Sequence, residues 1–407
     1  MRVLFLSGWY PYPPNNGSKL RIYNLLSGLA YEHEVTLVSF ADEGDRGVDT
    51  KLTQICRRVR VVPWKPFNPR SLRSMLGFFS LSPRSVIDTY SPEMARRIRE
   101  ECAAQRYDLV IASQITTAAY VPLLPPIPAL FEEVELGARY EKFAAANSFL
   151  HRIRHRLTWM KFHRYLGHLL GHFRACTVVS EEEKRLLAAV VPRFKTIEVV
   201  PNCVHVSEYR GFQAPAKPNT LVFTGSFSYF PNYEAMVWFL RDVYPHVQKE
   251  IPGVEVTITG DHGNRPLPGV GNLKLTGLVE DARPLVARSW ASIVPLQHGG
   301  GTRLKILEAM ALGTPVVSTS KGAEGLGLRH GEHALIADGA DDFARAVVRL
   351  LKDPGLRAHL SRNAYELVVK KYDWTAVMPR FLTLLAELSS AKTPSASLVE
   401  ARPGAVI

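Results

Sequence analysis

One stretch of the sequence decides the fold: SIVPLQHGGGTRLKILEAMALGTPVVST, residues 292–319. It begins with a short apolar strand, runs into three glycines at 299–301, and continues as a helix that ends before Gly313 and Pro315. Gly313 suits the left-handed position after a helix, and Pro315 cannot continue one. A second strand follows at 316–319. This succession of strand, glycine turn, helix and strand predicts one βαβ unit of a parallel sheet.

The beginning of that helix predicts a phosphate site. Thr302 is the expected N-cap, which places Arg303 and Lys305 in the first turn, where the positive end of the helix dipole disfavours cations. A local conflict of this kind is expected where function overrides stability. A bound anion would resolve it, because free N–H groups, glycines that permit close approach and two cations together suit a phosphate group.

Glu308 extends the predicted site along the helix. It lies six residues after Thr302, about 9 Å along the axis at 1.5 Å per residue, where a carboxylate could accept hydrogen bonds from a ribose. The alternative is a surface Lys305–Glu308 pair, worth only about 0.2–0.5 kcal/mol. That pair leaves the glycines and Arg303 unexplained, so nucleotide-diphosphate binding is the favoured interpretation.

These residues carry a resemblance to a known family. The run GGGTRLKILEAMALGTPVVST resembles the donor-binding core of the GT-B glycosyltransferases, in particular the large retaining family four. Met1–Phe40 is similar to that family's first βαβ unit, and PNCVH at 201–205 stands where Pro-Asn-Gly-Val-Asp is usual. The resemblance implies an α/β GT-B fold, with two Rossmann-like, doubly wound parallel-sheet domains facing a central cleft.

The resemblance also implies roles for the helix residues. The family commonly has two glutamates eight residues apart; Glu308 matches the second, which contacts the ribose, whereas Gly300 stands where the sugar-contacting first one is usual. A subset with a GGGTRLK loop is similar, and there Arg303 and Lys305 would hold the diphosphate and stabilise it as the leaving group.

The implied activity is retaining, hexosyltransferase-like transfer of a sugar from a nucleotide-diphosphate sugar to a glycan or lipid-linked acceptor in polysaccharide biosynthesis. No metal or other cofactor is expected, because the chain has no Asp-x-Asp motif. A catalytically inactive GT-B scaffold or nucleotide-binding subunit is the alternative, and Gly300 is the observation that supports it. A nucleotide-sugar epimerase on the same fold is a lesser alternative.

Glycine turns after predicted strands supply further candidates, because open α/β sheets bind ligands at the carboxyl ends of their strands. In the family, the loop after the first strand faces the donor phosphates and the acceptor, and a turn in the second domain reads the base. The expected substrate-binding residues are Gly17, Ser18, Arg21, Gly225, Ser226, Leu278, Val279, Gly299, Gly300, Gly301, Thr302 and Glu308. Three acids after another predicted strand, Glu132, Glu133 and Glu135, either orient an acceptor hydroxyl or cap the next helix, and capping is favoured.

At 407 residues the chain is expected to form two domains. We predict a first domain at 1–204, a linker at 205–218 and a nucleotide-sugar-binding domain at 219–372. A helix at 373–388 is expected to cross back to the first domain, and residues 389–407 read as a disordered tail.

Composition narrows the class of protein. An apolar content of 46% and a charged content of 22% are typical of a soluble globular protein, and no run is long and apolar enough to span a bilayer. The four cysteines are scattered and the chain starts without a signal peptide, so a reduced, cytoplasmic protein is expected. The net charge of +12 calls for an anionic partner. Nucleic acid is disfavoured because no zinc finger or RRM signature is present; an anionic membrane face and a merely basic surface both stay open.

Two further segments of the first domain are rich in basic and apolar residues. Residues 63–90 are basic and aromatic, and predict either an interfacial segment or, with slight preference, an excursion packed on the core. Residues 147–173 predict a long helix in which Leu150, Ile153, Leu157 and Met160 have the spacing of a buried stripe. Its histidines are not in an H-E-x-x-H pattern, so no metal site is predicted there.

Overall fold

The computed structural model describes residues 1–42, 50–137, 149–212 and 215–390. The chain divides into two compact units. The first contains Met1–Val200 and the residues from Met378 onward, and the second contains Pro201–Val377. The division falls a few residues before the predicted domain end at 204. The described part of the predicted linker 205–218 therefore belongs to the second unit, including a 3-10 helix at Val206–Tyr209.

The first unit is built on a seven-stranded sheet. Its strands are β1 (Arg2–Ser7), β2 (Glu34–Ala41), β3 (Arg58–Pro63), β4 (Leu109–Ser113), β5 (Ala129–Glu132), β6 (Ala175–Val178) and β7 (Ile197–Val199). They are ordered β3-β2-β1-β4-β5-β6-β7 and pair in parallel. The order reverses between β1 and β4, which makes the carboxyl end of this pair the expected ligand crevice of a doubly wound sheet.

Helices connect these strands, as parallel pairing requires. They are α1 (Gly17–Ala30), α2 (Thr50–Ile55), α3 (Leu72–Leu76), α4 (Arg84–Thr89), α5 (Pro92–Ala104), α6 (Gln114–Ala118), α7 (Phe149–Leu170) and α8 (Glu181–Val190). The first begins after Asn16, whose side chain accepts a hydrogen bond from the N–H of Lys19 at 2.9 Å. This N-cap fixes where the chain turns from the loop after β1 into the helix.

The second unit repeats the design with a six-stranded sheet. Its strands are β8 (Lys217–Thr224), β9 (Glu255–Thr259), β10 (Leu273–Gly277), β11 (Ser289–Val294), β12 (Val316–Ser318) and β13 (Leu335–Ile336). They are ordered β10-β9-β8-β11-β12-β13 and also pair in parallel. Here the order reverses between β8 and β11. The predicted βαβ unit is therefore confirmed, and Gly313 adopts the expected positive φ of 73°.

The helices of the second unit are α9 (Phe230–Trp238), α10 (Tyr244–Glu250), α11 (Arg283–Ala287), α12 (Leu304–Ala311), α13 (Ala340–Lys352) and α14 (Pro354–Lys371). A π-helical turn at Phe239–Val243 joins α9 to α10. Pro245, the second residue of α10, lacks an N–H and so cannot continue the helical hydrogen bonds across this turn, which accounts for the change of helical pitch.

The central strands of both sheets are buried on their two faces. Strand β1 reads Arg-Val-Leu-Phe-Leu-Ser, and every residue after the arginine is buried. Near-continuous apolar strands of this kind are expected where helices cover both faces of a parallel sheet. The sequence pattern therefore specifies the layered architecture of each unit.

A last helix, α15 (Trp374–Ser390), follows the second unit. Its residues from Met378 onward belong to the first unit. Met378 packs at Gly28 of α1, where an added Cβ would collide with its side chain. Arg174 donates a hydrogen bond to the carbonyl oxygen of Leu388 at 2.7 Å. The predicted tail lies, from residue 391, outside the described residues.

The predicted buried stripe of α7 is wrong. Ile153, Leu157 and Met160 are exposed, whereas Phe162, Leu166 and Leu169 are buried. Each exposed residue precedes a buried one by nine positions, which is about half a turn in projection at 3.6 residues per turn. The helix therefore carries two apolar faces, and the sheet covers the opposite one from that predicted. The side chain of Leu150 is not described.

The preference for a core-packed excursion at 63–90 holds at its two ends, where Trp64 and Tyr90 pack against the core, and is wrong for most of the apolar residues between them. Leu72, Met75, Leu76, Phe78, Phe79 and Leu81 are exposed. Only small or polar positions of the segment, such as Ser74 and Asp88, are fully buried. The apolar side chains consequently form a surface rather than part of the core.

Candidate active site

Two loops meet at the switch point of the second sheet. Gly225 follows β8, and the loop from 295 to 303 follows β11. Because β8 and β11 are hydrogen-bonded neighbours, the turns at their carboxyl ends lie beside each other. This is the position at which doubly wound sheets bind nucleotides.

The glycine loop requires glycine at two positions, because the backbone there has a positive φ. Gly299 and Gly301 have φ values of 105° and 82°. An added Cβ at Gly299 would also collide with Tyr229 at the start of α9. The Tyr229 hydroxyl in turn donates to the carbonyl oxygen of Gly300 at 3.4 Å. The loop is therefore held in a tight, left-handed path that L side chains disfavour.

Arg303 holds this loop from inside. The residue is 6% exposed, and its guanidinium donates to the carbonyl oxygens of Gly299 at 2.6 Å, Gly300 at 2.5 Å and Gly301. The helix begins at Leu304, so Arg303 occupies the N-cap position rather than the first turn. Thr302 is not the N-cap; its hydroxyl accepts a hydrogen bond from Asn202 at 3.0 Å. The predicted clash of Arg303 with the helix dipole is therefore wrong.

Lys305 is the first-turn cation, and it reaches toward β8. Its ammonium donates to the side-chain oxygen of Asn232 at 3.0 Å and lies 4.0 Å from the centre of the Phe223 ring. An added Cβ at Gly225 would lie 2.7 Å from the Lys305 nitrogen, so glycine leaves room for the ammonium at this turn. Burial, and secondly the charge of Arg303, lower the pKa of Lys305 to about 7. A bound anion would therefore stabilise the protonated form of Lys305.

Glu308 lies one turn further along α12 and is partly buried. Burial raises the pKa of its carboxyl group. The Tyr209 hydroxyl donates to it at 3.5 Å, a long hydrogen bond. Burial and the neighbouring Glu308 also raise the pKa of Tyr209, which keeps this hydroxyl a donor. Among the described residues Lys305 and Glu308 form no ion pair, since Lys305 contacts Asn232 and Glu308 contacts Tyr209, so the alternative of a surface pair is wrong.

Three glycines form a row at the carboxyl ends of β8, β9 and β10. The N–H of Gly225 donates to Thr259, and the N–H of Gly260 donates to Gly277, both at 2.9 Å. An added Cβ at Gly260 would lie 2.6 Å from the backbone of Gly225. The backbones therefore approach one another closely along this edge.

The turn after β10 ends that row. It places Leu278, which is 83% exposed, and Val279 at the outer end of the edge. At the inner end, Ser226 accepts a hydrogen bond from Asn232 through its carbonyl oxygen at 2.8 Å. The predicted residues of the second domain thus lie along one edge of its sheet.

Sequence reasoning missed several side chains of this site. Asn232 links Lys305 to Ser226, and Tyr229 covers the glycine loop. Gln297 has a buried side-chain nitrogen without a hydrogen-bond partner among the described residues, a feature that calls for an explanation such as a ligand. Asn202 belongs to the recognised PNCVH motif and could have been found from it. The other three are distant in sequence or carry no motif.

The predicted site residues of the first unit all lie in the first two turns of α1. Gly17 and Ser18 begin α1. Arg21 is buried and forms an ion pair with the buried Glu132, with 2.6 Å between Nε and Oε1. Ser113 donates to the other carboxylate oxygen of Glu132 at 2.8 Å. This ion pair joins α1 to the ends of β4 and β5, so Arg21 has a clear structural role.

A cavity of about 210 Å³ lies next to this ion pair, at the carboxyl ends of β4 and β5. Gln114 and Glu133 line it with strained backbones, at φ 70° and 57°. The Gln114 amide donates to the Glu133 carboxyl group at 3.4 Å. Burial, and secondly Glu132, raise the pKa of Glu133 to about 8. Strained non-glycine residues of this kind cluster at functional sites.

Glu132 and Glu133 have other partners than the next helix, and residues 138–148, which follow Glu135, lie outside the described residues. Glu183 accepts hydrogen bonds from the N–H groups of Leu136 at 3.0 Å and Gly137 at 2.8 Å. The carboxylate that binds the backbone after β5 is therefore supplied by α8. Glu133 instead contacts Gln114 at the cavity.

The described part of the chain contains neither a cluster of metal ligands nor a membrane-spanning helix. No group of three or more His, Cys, Asp or Glu side chains is arranged to hold a metal ion within the described ranges. Among the helices that the structure describes, none is both long and apolar enough to cross a membrane.

Comparison with known proteins identifies relatives over most of the chain. Over 399 residues, the chain is 25% identical to an uncharacterized 44.6 kDa protein in the cps region of Klebsiella pneumoniae, spanning 91% of this chain and 96% of the relative. It is 32% identical over 146 residues to the lipopolysaccharide core biosynthesis glycosyltransferase LpsE of Rhizobium meliloti, or 33% of this chain and 43% of the relative.

A solved structure supports the fold. The Anabaena protein HepE, in complex with UDP and glucose, matches with a TM-score of 0.65 at 16% identity, covering 95% of this chain and 100% of that chain. At this identity the likeness shows the fold alone. Together with the two parallel sheets, it confirms the predicted α/β GT-B fold.

Two family models divide the chain between them. The model for "Glycosyltransferase Family 4" matches residues 15–208, and the model for "Glycosyl transferases group 1" matches residues 218–353. The second match contains the glycine loop and Glu308, and the first contains the Arg21–Glu132 pair. The chain is a glycosyltransferase of the GT-B fold.

Proposed function

We propose that this protein transfers a sugar, with retention of configuration, from a nucleotide-diphosphate sugar to a glycan or lipid-linked acceptor in polysaccharide biosynthesis. The observation that carries the proposal is Lys305. It is a partly buried ammonium held by Asn232 beside a glycine loop, at the switch point of a doubly wound sheet. A lysine with a lowered pKa has no structural advantage there, whereas a diphosphate would supply the missing counter-charge.

The proposed chemistry rests on charge at the leaving group. As the glycosidic bond to the donor phosphate breaks, negative charge grows on the diphosphate. A fixed ammonium at Lys305 binds this charge more tightly in the transition state than in the ground state, which lowers the barrier. Burial strengthens the interaction because surrounding side chains replace water.

Arg303 serves the same step indirectly in our proposal. Its guanidinium is engaged with the carbonyl groups of the glycine loop, so it fixes the path of the backbone that would approach the phosphates. Glu308 would accept hydrogen bonds from the ribose, with Tyr209 holding its carboxyl group. Leu278 and Val279 would contact the base. Each role is assigned from position and chemistry.

The relatives support the substrate and pathway. The Anabaena neighbour was solved with UDP-glucose as well as with UDP and glucose, and the Rhizobium relative is named for lipopolysaccharide core biosynthesis. The Klebsiella relative is named for a cps region. A nucleotide sugar as donor and a cell-surface glycan as product are consistent with these names.

We place the acceptor hydroxyl at the cavity of the first unit. A volume of about 210 Å³ is below the roughly 300–1,000 Å³ of complete ligand pockets, so it suits one end of a larger acceptor. At its wall, the Glu133 carboxyl group and the Gln114 amide offer both hydrogen-bond donors and acceptors. A sugar hydroxyl needs both.

The second candidate is an inactive nucleotide-binding scaffold, favoured by Gly300 at the position of the sugar-contacting glutamate. The two candidates separate on turnover. We expect the purified protein to hydrolyse slowly at least one of a panel of UDP-, GDP- and ADP-sugars. Lys305→Met should lower this hydrolysis rate roughly 10²–10³-fold. Lys249→Met, an exposed lysine of α10, is the matched control. Nucleotide binding without any hydrolysis or transfer would establish the scaffold instead.

We further propose that transfer needs no metal ion, because Lys305 and the glycine loop supply the charge stabilisation. Donor hydrolysis should therefore proceed at the same rate after treatment with EDTA, measured against an untreated sample. A loss that added Mg²⁺ or Mn²⁺ restores would contradict this. The proposed location is the cytoplasm, at the inner face of the membrane, consistent with the net charge of +12.

A further inference from the structure

An exposed surface of the first unit combines two segments that are far apart in sequence. The first is residues 64–87, with exposed Leu72, Met75, Leu76, Phe78, Phe79 and Leu81. The second is the outer face of α7, with exposed Ile153, Leu157 and Met160. Lys161 of α7 donates to the carbonyl oxygen of Phe78 at 2.5 Å, so the two segments are in contact. We call these residues the apolar–basic surface.

The surface is built, not a loose loop. The buried Asp88 accepts hydrogen bonds from the N–H of Asn68 at 2.7 Å and from the Ser71 hydroxyl. Arg84 donates to the carbonyl oxygens of Ser74 and Pro69, both at 2.7 Å, and its guanidinium lies 3.8 Å from the Phe78 ring centre. Phe79 nevertheless stays 92% exposed. Ordered hydrogen bonds therefore hold this segment in a conformation that exposes its apolar side chains to solvent. An exposed apolar patch of this kind indicates an interaction site.

The charge of the surface is of one sign. Residues 64–87 and 153–170 contain eight Lys or Arg residues and no Asp or Glu: Lys65, Arg70, Arg73, Arg84, Arg154, Arg156, Lys161 and Arg164. The chain as a whole has a net charge of +12, so these two segments carry most of the excess. The next acid in sequence, Asp88, is buried and bound to Asn68 and Ser71.

We infer that the apolar–basic surface docks the protein on an anionic lipid bilayer. Exposed Phe, Leu and Met side chains among cations are the composition of segments that lie in a membrane interface, where apolar groups enter the acyl boundary and cations meet lipid phosphates. A second copy of the chain fits poorly, because a symmetric dimer through this surface would bring eight cations against eight. An acidic protein partner would match the charge but not the dispersed apolar side chains.

The inference extends the proposed location at the membrane and needs none of the transfer chemistry. Docking through this surface would hold the first unit, with its acceptor cavity, at the bilayer where a lipid-linked acceptor resides. Phe162 and Leu166, on the opposite face of α7, line that cavity. One helix thus contacts both the proposed acceptor site and the proposed lipid.

The test is sedimentation of the full-length protein with phosphatidylcholine vesicles that contain either none or 30 mol% (about one lipid in three) phosphatidylglycerol. The wild type should bind the anionic vesicles at least about tenfold more tightly, and lose binding in 1 M salt, where the Debye length is about 3 Å. Arg70→Glu with Arg73→Glu should weaken binding more than about twentyfold, at roughly fivefold for each cation lost. Phe79→Ser with Met160→Ser should weaken it about tenfold or more.

Matched controls separate the surface from general charge and hydrophobicity. Tyr31→Ser removes an aromatic side chain that is 90% exposed outside the surface, and Arg193→Glu with Lys195→Glu reverses two exposed cations after α8. Binding by the tyrosine variant should match the wild type, and the second control should lose less than the Arg70 and Arg73 variant. Circular dichroism and melting of each variant check that it is folded.

Three outcomes would overturn the inference. The first is equal binding to neutral and anionic vesicles, and the second is unchanged vesicle binding by both surface variants. The third is a wild-type dimer that the double variant Phe79→Ser with Met160→Ser dissociates while its binding to vesicles stays the same. Donor hydrolysis measured on the same samples keeps this result separate from the proposed function. Vesicle binding by a protein without hydrolysis would support docking and reject the transferase, and the reverse would reject docking alone.

Discussion

Lys305 carries an electrostatic cost that the ligand-free protein does not offset. Its pKa is lowered from 10.5 to about 7 in the folded state, chiefly by burial. Between these two values the unfolded chain binds a proton that the folded protein lacks, so stability rises with pH across this window. Below about pH 7 the folded protein holds a partly buried ammonium, and the cost to stability is greatest.

A variant without the amine should lack this dependence. Lys305→Met is expected to be more stable than the wild type at pH 6, with the difference shrinking as the pH rises from about 7 toward 10. Urea unfolding at pH 6, 8 and 9.5 measures it, with Lys249→Met as control. A difference that is the same at all three pH values would show that the Lys305 ammonium is not buried as described.

Glu308 is expected to hold the ribose. Glu308→Gln should weaken nucleotide affinity by about 1.5–3 kcal/mol, the range for hydrogen bonds to charged groups, while the fold stays intact. Tyr209→Phe should have a smaller effect, because its hydrogen bond to Glu308 is long, at 3.5 Å. Calorimetric titration with a nucleoside diphosphate measures both, and unchanged affinity in the glutamine variant would remove Glu308 from the site.

At the scale of elements, the glycine loop and Arg303 form one unit. The guanidinium reaches three successive carbonyl oxygens, a fork that lysine cannot reproduce. Arg303→Lys should therefore weaken nucleotide binding nearly as much as Arg303→Ala, and lower stability by about 1.5–3 kcal/mol for the lost buried charged hydrogen bonds. If Arg303 instead meets the diphosphate directly as a charge, the lysine variant would retain most of the affinity. Thermal melts and titration of both variants decide between these roles.

Elements that repeat a local pattern were predictable, and those that depend on distant contacts were not. The βαβ unit at 292–319 follows from apolar strands and glycine turns, because these act over a few residues. Lys305 was placed correctly in the first turn, yet its partner Asn232 lies 73 residues away and no local signal connects them. The sequence predicts Arg303 as a diphosphate contact but does not show that its guanidinium folds back onto the glycine loop, because periodicity carries no information on side-chain direction.

Helix α7 illustrates the same limit. It has apolar side chains on opposite faces, and periodicity alone cannot decide which face the sheet covers. The predicted stripe runs through Ile153 and Leu157, whereas the core covers the one through Phe162 and Leu166. Two apolar faces on one helix indicate two contact surfaces, so the second face of α7 predicts a partner other than the core.

At the scale of the whole molecule, two similar sheets are specialised differently. In each, the polar and glycine-containing turns lie at the carboxyl ends of the strand pair where the order reverses, β1 and β4 in the first and β8 and β11 in the second. The second sheet presents glycines and a cation, suited to a diphosphate. The first presents Glu133 and Gln114 at a small cavity, suited to hydroxyl groups. The division matches the two substrates that a glycosyl transfer requires.

The central claim is that a donor diphosphate binds at Lys305. Calorimetric titration at pH 8 with UDP, GDP and ADP, in two buffers of different ionisation enthalpy, tests it most directly. Since the ligand-free pKa is about 7, most Lys305 side chains are neutral at pH 8, and an arriving diphosphate should raise that pKa and draw in a proton. For at least one nucleotide, the wild type and Lys249→Met should take up close to one proton on binding, whereas Lys305→Met should take up none and bind at least about tenfold more weakly. Equal affinity and equal proton uptake in Lys305→Met and the wild type would contradict the claim and place the diphosphate elsewhere.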